Sequence, residues 1–383
     1  MIGVVRDRSF TLYFVVFVAG CLLVTISCNR MSTSNIGSQP QASTKATPTP
    51  TPHSSYDFAI IDRLLEQVAR KHGGAALVLV KDEAVIYRKS FGSHAPDKVV
   101  PIASASKWLS GALIMNLVDA GKLSLDDAVS KYIPDFAHDK SNITIRQLFA
   151  HTSGLPPEIA CRNNKRSTLE RCVTEIARVR MRATPGEEFY YGGVSMHVGG
   201  RIAEIVGGKS FNELFVEVIA TPMGMLKTDF LAYGPTGNPR PAGDARSSAD
   251  DYARFLQMIL QGGTLGGKKI LAQSSVVEMH KDQTAGARIA YTIYQKHGGL
   301  DPALPLARYG VGLWREKVAD NEQLLEASSQ GALGFSPWID VERNLAGVLS
   351  MQSSFSKALP DYLALKEEIR RIVPPDSGPS ALQ

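Results

Sequence analysis

Ser104 and Lys107 lie three residues apart in the segment VVPIASASKWLSGALIMNL, where an extended run is followed by a helical pattern. Residues at positions i and i+3 of a helix share one face, so the lysine amine can reach the serine hydroxyl. A lysine buried among apolar residues has a lowered pKa and can act as a base at neutral pH. The N-terminus of the helix would also favour an oxyanion that develops on the substrate. This spacing indicates a serine nucleophile with a lysine base.

The same tetrapeptide also has a purely structural interpretation, in which Ser104 caps the helix and Lys107 lies on the surface. Ser-x-x-Lys is a weak pattern, because serine and lysine are both common residues. A second copy, Ser354 and Lys357, lies between the last predicted strand and the last predicted helix, and nothing else recommends it. The tetrapeptide by itself therefore leaves both interpretations open.

Other motifs of enzyme chemistry are missing or incomplete. The chain contains no HExxH, CxxC, GxGxxG or GxxxxGK[ST] pattern. A nucleophile elbow requires GxSxG, but residues 193–197 read GVSMH, with histidine where the second glycine is needed. We therefore expect Ser195 to be an ordinary helix residue, and we expect neither a metal ion nor an organic cofactor.

Hydrophobic periodicity predicts the elements that position these residues. YDFAIIDRLLEQVARK is helical, and AALVLVKDEAVIYRKSFG is a hairpin that turns at residues 81–83. WLSGALIMNLVDAG is apolar on nearly all sides, which indicates a buried helix that stops at Gly121. Residues 122–265 are mainly helical, whereas RYGVGLWRE, QLLEASSQGALGFSPWID and NLAGVLSMQ are β-rich and PDYLALKEEIRRIV is a terminal helix. Strands at both ends and helices between them predict one sheet built from distant segments, an α/β (α+β) fold with a helical insertion.

The N-terminus carries a targeting signal. Residues 1–28 combine Arg6 and Arg8 with a long uncharged apolar run that contains Cys21 and ends at Cys28. The segment resembles a lipoprotein signal peptide that is cleaved before an acylated cysteine. We expect lipidation at Cys28, because cleavage before Cys21 would leave LLVTIS exposed, and an uncleaved membrane anchor is the alternative. In each case the body is exported to the periplasmic or cell-envelope side and tethered to a bacterial membrane.

Composition supports this organisation. Residues 29–55 are rich in Pro, Ser and Thr and predict a disordered linker, residues 56–373 form the body, and residues 374–383 are a disordered tail. Cys161 and Cys172 are an even pair in an oxidising compartment and are expected to form a disulfide. The net charge of +5 is scattered, and the basic cluster CRNNKRSTLERC indicates a solvated loop rather than a nucleic-acid site.

The order of motifs along the body resembles the serine β-lactamase-like superfamily, specifically its class C and esterase branch. In that family a Ser-x-x-Lys helix precedes Gly-Lys-Leu-x-Leu-Asp-Asp and LLxHTSGL segments, and this chain has GKLSLDD and LFAHTSGL. The resemblance continues through PGEEFYYGG, NPRPAGDARSSADDYARFLQMILQGG and SSQGALGFSPWID, and it covers most of residues 56–373. It implies a β-lactamase/transpeptidase-like fold, with an antiparallel sheet flanked by helices and a mainly helical subdomain.

The resemblance also implies roles for the residues that match its motifs. Ser104 matches the acylated nucleophile, Lys107 the lysine of its dyad, and Tyr191 the tyrosine that works as general acid or base. Tyr190 is expected to pack in the core. His151 matches a turn residue of the family rather than a catalyst.

A further matching segment lies near the C-terminus. Ser329 and Gly331 match the first and last positions of a Lys-Thr-Gly or His-x-Gly triplet, on the strand that lies along the substrate. Ala332 would donate a backbone N–H to the oxyanion hole. Two departures stand out, because Gly193 replaces the asparagine of Tyr-x-Asn and Ser329 replaces the Lys or His of the triplet.

These departures leave acylation intact and disfavour efficient β-lactam hydrolysis. We therefore expect a serine hydrolase that cleaves carboxylic ester or amide bonds, with esters, β-lactams and D-amino-acid peptides of cell-wall type as candidate substrates. The alternative is a penicillin-binding sensor of the same fold that does not turn over.

Overall fold

The computed structural model describes residues 56–296, 308–376 and 382. The predicted signal peptide and linker therefore lie outside the described residues. The helices are α1 Ala59–His72, α2 Ser106–Asp119, α3 Ile145–Phe149, α4 Leu169–Arg178, α5 Val194–Gly207, α6 Phe211–Phe215, α7 Ala249–Leu260, α8 Gln273–His280, α9 Ile293–Lys296 and α10 Phe355–Ile372. The strands are β1 Gly74–Lys81, β2 Ala84–Gly92, β3 Val100–Pro101, β4 Glu188–Tyr190, β5 Arg246–Ser247, β6 Thr264–Leu265, β7 Lys268–Lys269, β8 Arg288–Tyr291, β9 Trp314–Val318, β10 Leu324–Ser328, β11 Phe335–Asp340 and β12 Leu345–Met351.

The central sheet has six strands in the order β2-β1-β12-β11-β10-β9, and every neighbouring pair is antiparallel. β1 pairs with β12, so that Leu77 lies opposite Leu349. The sheet therefore joins the two ends of the domain, and the chain between β2 and β9 forms the mainly helical part. This arrangement confirms the predicted fold class.

Alternate side chains of β1 serve two different cores. Leu77 and Leu79 pack with α1 and α10 on one face of the sheet. Val78 and Val80 pack with α7 and α2 on the other face. Because side chains of a strand alternate between faces, a strand covered on both sides reads as the unbroken apolar run AALVLV.

The local predictions around the sheet hold. Asp82 and Glu83 adopt left-handed φ angles of 49° and 67° between β1 and β2, which confirms the hairpin. Eleven of the fourteen residues of α2 are buried, as its uniform apolar pattern indicates. α10 begins at Phe355, five residues before the predicted start at Pro360.

The C-terminal chain remains attached to the domain beyond residue 373. The backbone N–H of Asp376 donates to the Glu342 carbonyl at 2.7 Å, and its carboxylate accepts from Lys81 Nζ at 2.5 Å. Residues 374–376 therefore belong to the folded body rather than to the predicted tail. Among the described helices, none has the length and apolar character needed to cross a membrane.

Candidate active site

Ser104 lies in a turn of 3₁₀-helix, Ala103–Ala105, directly before α2. Ser106 holds the turn from within, since its hydroxyl donates to the Ala103 carbonyl at 2.6 Å and accepts from the Ala245 N–H at 3.0 Å. Ala105 occupies the cap position of α2 and no side chain caps that helix. The structural interpretation of Ser104 as a helix cap is therefore wrong, and its half-buried hydroxyl is available for another contact.

Lys107 lies in the first turn of α2 and is only 3% exposed, so it is not a surface lysine. Its Nζ donates to Ser104 Oγ at 3.1 Å and to the Ala242 carbonyl at 3.0 Å. Burial, and secondly the charge of Arg162, lower the pKa of Lys107 from 10.5 to about 7. The amine is therefore unprotonated in a large fraction of molecules at neutral pH, as a base must be.

Tyr191 follows β4 and completes the group. Lys107 Nζ lies 4.6 Å from the centroid of the Tyr191 ring. Burial raises the pKa of Tyr191, and the neighbouring Ser104 side chain offsets only part of that rise. The Tyr191 ring stacks on Trp314 at 5.0 Å between centroids. The structure thus brings Ser104, Lys107 and Tyr191 together from two separate segments of the chain.

The segment after β10 runs beside the turn that carries Ser104. The Ser329 hydroxyl donates to the Ser104 carbonyl at 3.1 Å. A Cβ atom added to Gly331 would lie 2.2 Å from the Ile102 carbonyl oxygen, so only glycine permits this approach. Ala332 is exposed, and its carbonyl accepts from the Phe355 N–H at 3.0 Å. β10 ends at Ser328, so these residues lie in the turn after the strand rather than on it.

Comparison with known proteins shows the family of the chain. The Beta-lactamase family model matches residues 60–368. The chain belongs to the beta-lactamase family. A solved structure from Bacteroides dorei DSM 17855, provisionally described as a beta-lactamase, is 35% identical with a TM-score of 0.75, over 83% of this chain and 99% of that one.

Two curated relatives match over shorter stretches. Protein flp of Staphylococcus aureus (strain MW2) is 32% identical over 187 residues, which is 44% of this chain and 38% of that protein. The D-alanyl-D-alanine-carboxypeptidase/endopeptidase AmpH of Escherichia coli (strain K12) is 29% identical over 200 residues, 47% of this chain and 52% of AmpH. The chain thus matches about half the length of these relatives or less.

Within this beta-lactamase-family fold, His151 packs behind the tyrosine. Its φ angle is 59°, as a turn residue requires, and its ring lies 4.7 Å from that of Tyr191 and 4.9 Å from that of Tyr309. Burial and the charge of Lys107 hold the pKa of His151 well below its usual value, so the ring is neutral. Tyr190 is half-buried and stacks on Tyr291 at 5.1 Å, so it lies at the edge of the core.

The serines that the sequence set aside lie in other surroundings. Ser195 is buried in the first turn of α5. Ser354 and Lys357 are both exposed, and the Ser354 hydroxyl contacts Ser356 at 3.4 Å. Lys357 is exposed, so this second Ser-x-x-Lys lacks the burial that lowers the pKa of Lys107. In the described part of the chain, no group of His, Cys, Asp and Glu side chains could hold a metal ion.

Sequence reasoning missed a buried polar network behind the Ser329 segment. Glu316 of β9 is 5% exposed and accepts hydrogen bonds from four side chains: Ser328, Gln330, Tyr362 and Lys366. Gln330 Nε2 donates to the Glu316 carboxylate at 3.1 Å, and this bond holds Gln330 in place between Ser329 and Gly331. The lysine and the tyrosine come from α10, so no local pattern could have revealed this support.

The prediction that the basic cluster is solvated is wrong for Arg162. The basic cluster was predicted to be solvated, yet Arg162 is 8% exposed, and Cys161 beside it forms a disulfide with Cys172. A Cβ atom added to Gly193 would lie 2.1 Å from a nitrogen of the Arg162 guanidinium. The arginine therefore fills the space that opens where this chain lacks the asparagine of Tyr-x-Asn.

Proposed function

We propose that the protein is a serine hydrolase that forms an acyl-enzyme on Ser104. The observation that carries this proposal is the 3.1 Å contact between Lys107 Nζ and Ser104 Oγ, made by a lysine that burial brings to a pKa of about 7. A neutral amine at this distance can accept the hydroxyl proton, and the serine oxygen then attacks a substrate carbonyl carbon.

The protons can be followed through acylation. The Ser104 proton passes to Lys107, and the tetrahedral oxyanion is held by the backbone N–H groups of Ser104 and Ala332. Collapse of this intermediate breaks the bond to the leaving group. Tyr191 gives that group its proton and is reprotonated from Lys107, so both residues return to their starting states.

Water then cleaves the acyl-enzyme by the same route in reverse. The family resemblance makes Tyr191 one candidate for the base of this step. Burial raises the pKa of Tyr191, so the phenol keeps its proton at neutral pH, whereas much of Lys107 is unprotonated. We therefore propose Lys107 as the base for deacylation, with Tyr191 relaying the proton.

Carboxylic esters are the substrates that we place first. Gly193 offers no side-chain amide, and the Ser329 hydroxyl is bonded to the Ser104 carbonyl at 3.1 Å. The site therefore lacks two polar groups that would recognise a β-lactam, while the acylating residues are in place. The relationship to AmpH keeps D-alanyl peptides as a second candidate class.

Intact-mass spectrometry separates turnover from a receptor role. The protein is incubated with p-nitrophenyl butyrate, benzylpenicillin or a D-Ala-D-Ala peptide, and sampled from seconds to hours. We expect a transient adduct of butyryl mass on Ser104, with release of nitrophenol continuing long after one equivalent. A lasting adduct with a single burst would identify a sensor that does not turn over.

We also propose that the protein is exported and tethered through lipidation of Cys28. The apolar run before this residue and the Pro/Ser/Thr-rich segment after it support the proposal. In bacterial cells fed a radiolabelled fatty acid, Cys28→Ser should abolish labelling and Cys21→Ser should preserve it. The reverse pattern would move the lipid to Cys21, and labelling of neither form would favour an uncleaved anchor.

A further inference from the structure

Arg162 is a buried cation that packs against Gly193, two residues after Tyr191, and the acylation mechanism does not use it. Its side chain is 8% exposed, and burial lowers its pKa, so the guanidinium is held in unfavourable surroundings. The positive charge of Arg162 acts on the site electrostatically, since it lowers the pKa of Lys107. A buried cation of this kind is normally matched by a hydrogen-bonded anion.

The guanidinium is only partly satisfied by the described residues. One terminal nitrogen pairs with Glu158 at 2.5 Å, and this carboxylate is 69% exposed. The Nε atom is buried, and within the described chain it has no hydrogen-bond partner. Arginine binds carboxylates through two parallel N–H donors, so the single bond to Glu158 leaves the guanidinium incompletely paired.

The loop that carries Arg162 is anchored by side-chain contacts and a disulfide. The amide of Asn238 donates to the carbonyls of Cys161 and Asn164 at 2.9 and 3.1 Å, and its oxygen contacts His197 at 2.9 Å. The Cys161–Cys172 disulfide ties the same loop to α4. These contacts fix the backbone of the loop that carries the arginine, which favours selective binding.

Residue 193 is a glycine, and its lack of a side chain leaves room for the Arg162 guanidinium. Gly193 lies two residues after Tyr191, and the Arg162 guanidinium occupies the space against its Cα. We propose that Arg162 binds a carboxylate on the substrate and makes the enzyme selective for anionic esters or amides. The substrate's carboxylate would take the place of Glu158, which is exposed and free to withdraw. This inference rests on the proposed hydrolase function.

A matched pair of esters tests the inference. Mono-4-nitrophenyl adipate carries a free carboxylate, and its methyl ester has the same reacting bond and chain without the charge. We expect the wild type to prefer the acid, measured as a ratio of kcat/KM values. Arg162→Gln should lower that ratio by about ten- to a hundredfold, the value of charge-assisted hydrogen bonds. Equal losses on both esters would overturn the inference and leave Arg162 acting only through Lys107.

Three further variants sharpen the result. Arg166→Gln removes an exposed arginine from the same loop and should keep the ratio, which controls for net charge. Glu158→Gln removes the competing carboxylate and should raise the ratio, and this exposed change tests the inference even if Arg162→Gln does not fold. Gly193→Ala should displace the guanidinium and lower the ratio, with little further loss when combined with Arg162→Gln.

Binding gives a test that is independent of turnover. Adipate should raise the melting temperature of the wild type, and Arg162→Gln should lose that shift. If neither ester is cleaved but this shift is seen and lost as expected, the hydrolase proposal fails and the carboxylate site stands. The absence of any Arg162-dependent shift, together with an unchanged ester ratio, would overturn the site itself.

Discussion

Ser104→Ala is expected to lower kcat/KM for p-nitrophenyl esters by about a thousandfold or more, because the variant has no atom that can be acylated. Ser104 is half-buried, and its hydroxyl caps no helix. The variant should therefore keep its far-UV circular dichroism and melt within a few degrees of the wild type. Steady-state kinetics and thermal melting on the same preparation check both expectations.

The second Ser-x-x-Lys copy provides the matched control for this experiment. Ser354→Ala removes an exposed serine from the same pattern and should retain full activity. Intact mass after incubation with substrate should show no adduct on the Ser104→Ala protein. Ester turnover that persists in the folded Ser104→Ala variant would exclude Ser104 as the nucleophile.

Lys107→Met is expected to lower kcat/KM by about a hundred- to ten-thousandfold, the range for loss of a general base. Methionine has nearly the same length and is apolar, so it suits the buried position. In the wild type, kcat/KM should fall tenfold for each pH unit below about 7, because only the unprotonated Lys107 accepts the serine proton. An acidic limb far from this pH would contradict the role of Lys107.

The same substitution is expected to stabilise the fold. The unfolded chain binds a proton at Lys107 up to pH 10.5, whereas the folded protein binds it only up to about pH 7. The unfolded state therefore carries more protons between these values, and wild-type stability rises with pH across that window. Below pH 7 the folded protein bears the full cost of a buried charge, so Lys107→Met should there raise the free energy of unfolding by about 2 kcal/mol or more.

Denaturant titrations at pH 6, 8 and 10 measure this effect. The difference in free energy of unfolding between Lys107→Met and the wild type should shrink as pH rises, since wild-type stability increases with pH across this window. Lys357→Met, in the exposed copy, should change stability little at any pH. An advantage that stays constant with pH would mean that packing, rather than charge, is responsible.

Much of the fold could be predicted because its signals are local. The apolar run of β1, the turn at Asp82 and Glu83 and the all-round apolar surface of α2 each reflect the burial of a single element. Ser104 and Lys107 could be paired for the same reason, since residues three apart in a helical turn are neighbours whatever the rest of the chain does. The order of motifs then indicated the family, which the match over residues 60–368 shows.

The remaining features depend on contacts between distant segments. Whether Lys107 carries a charge is decided by its burial against residues such as Ala242, and the exposed lysine of the second copy has no such surroundings. Arg162 reads as part of a basic surface loop, because nothing in CRNNKRSTLERC shows that Gly193 leaves a space beside it. The sequence by itself determined the fold, the family and the serine–lysine pair. The tertiary structure decided the protonation of Lys107, the position of Tyr191 and the burial of Arg162, because desolvation and close approach belong to the packed chain and not to any one segment.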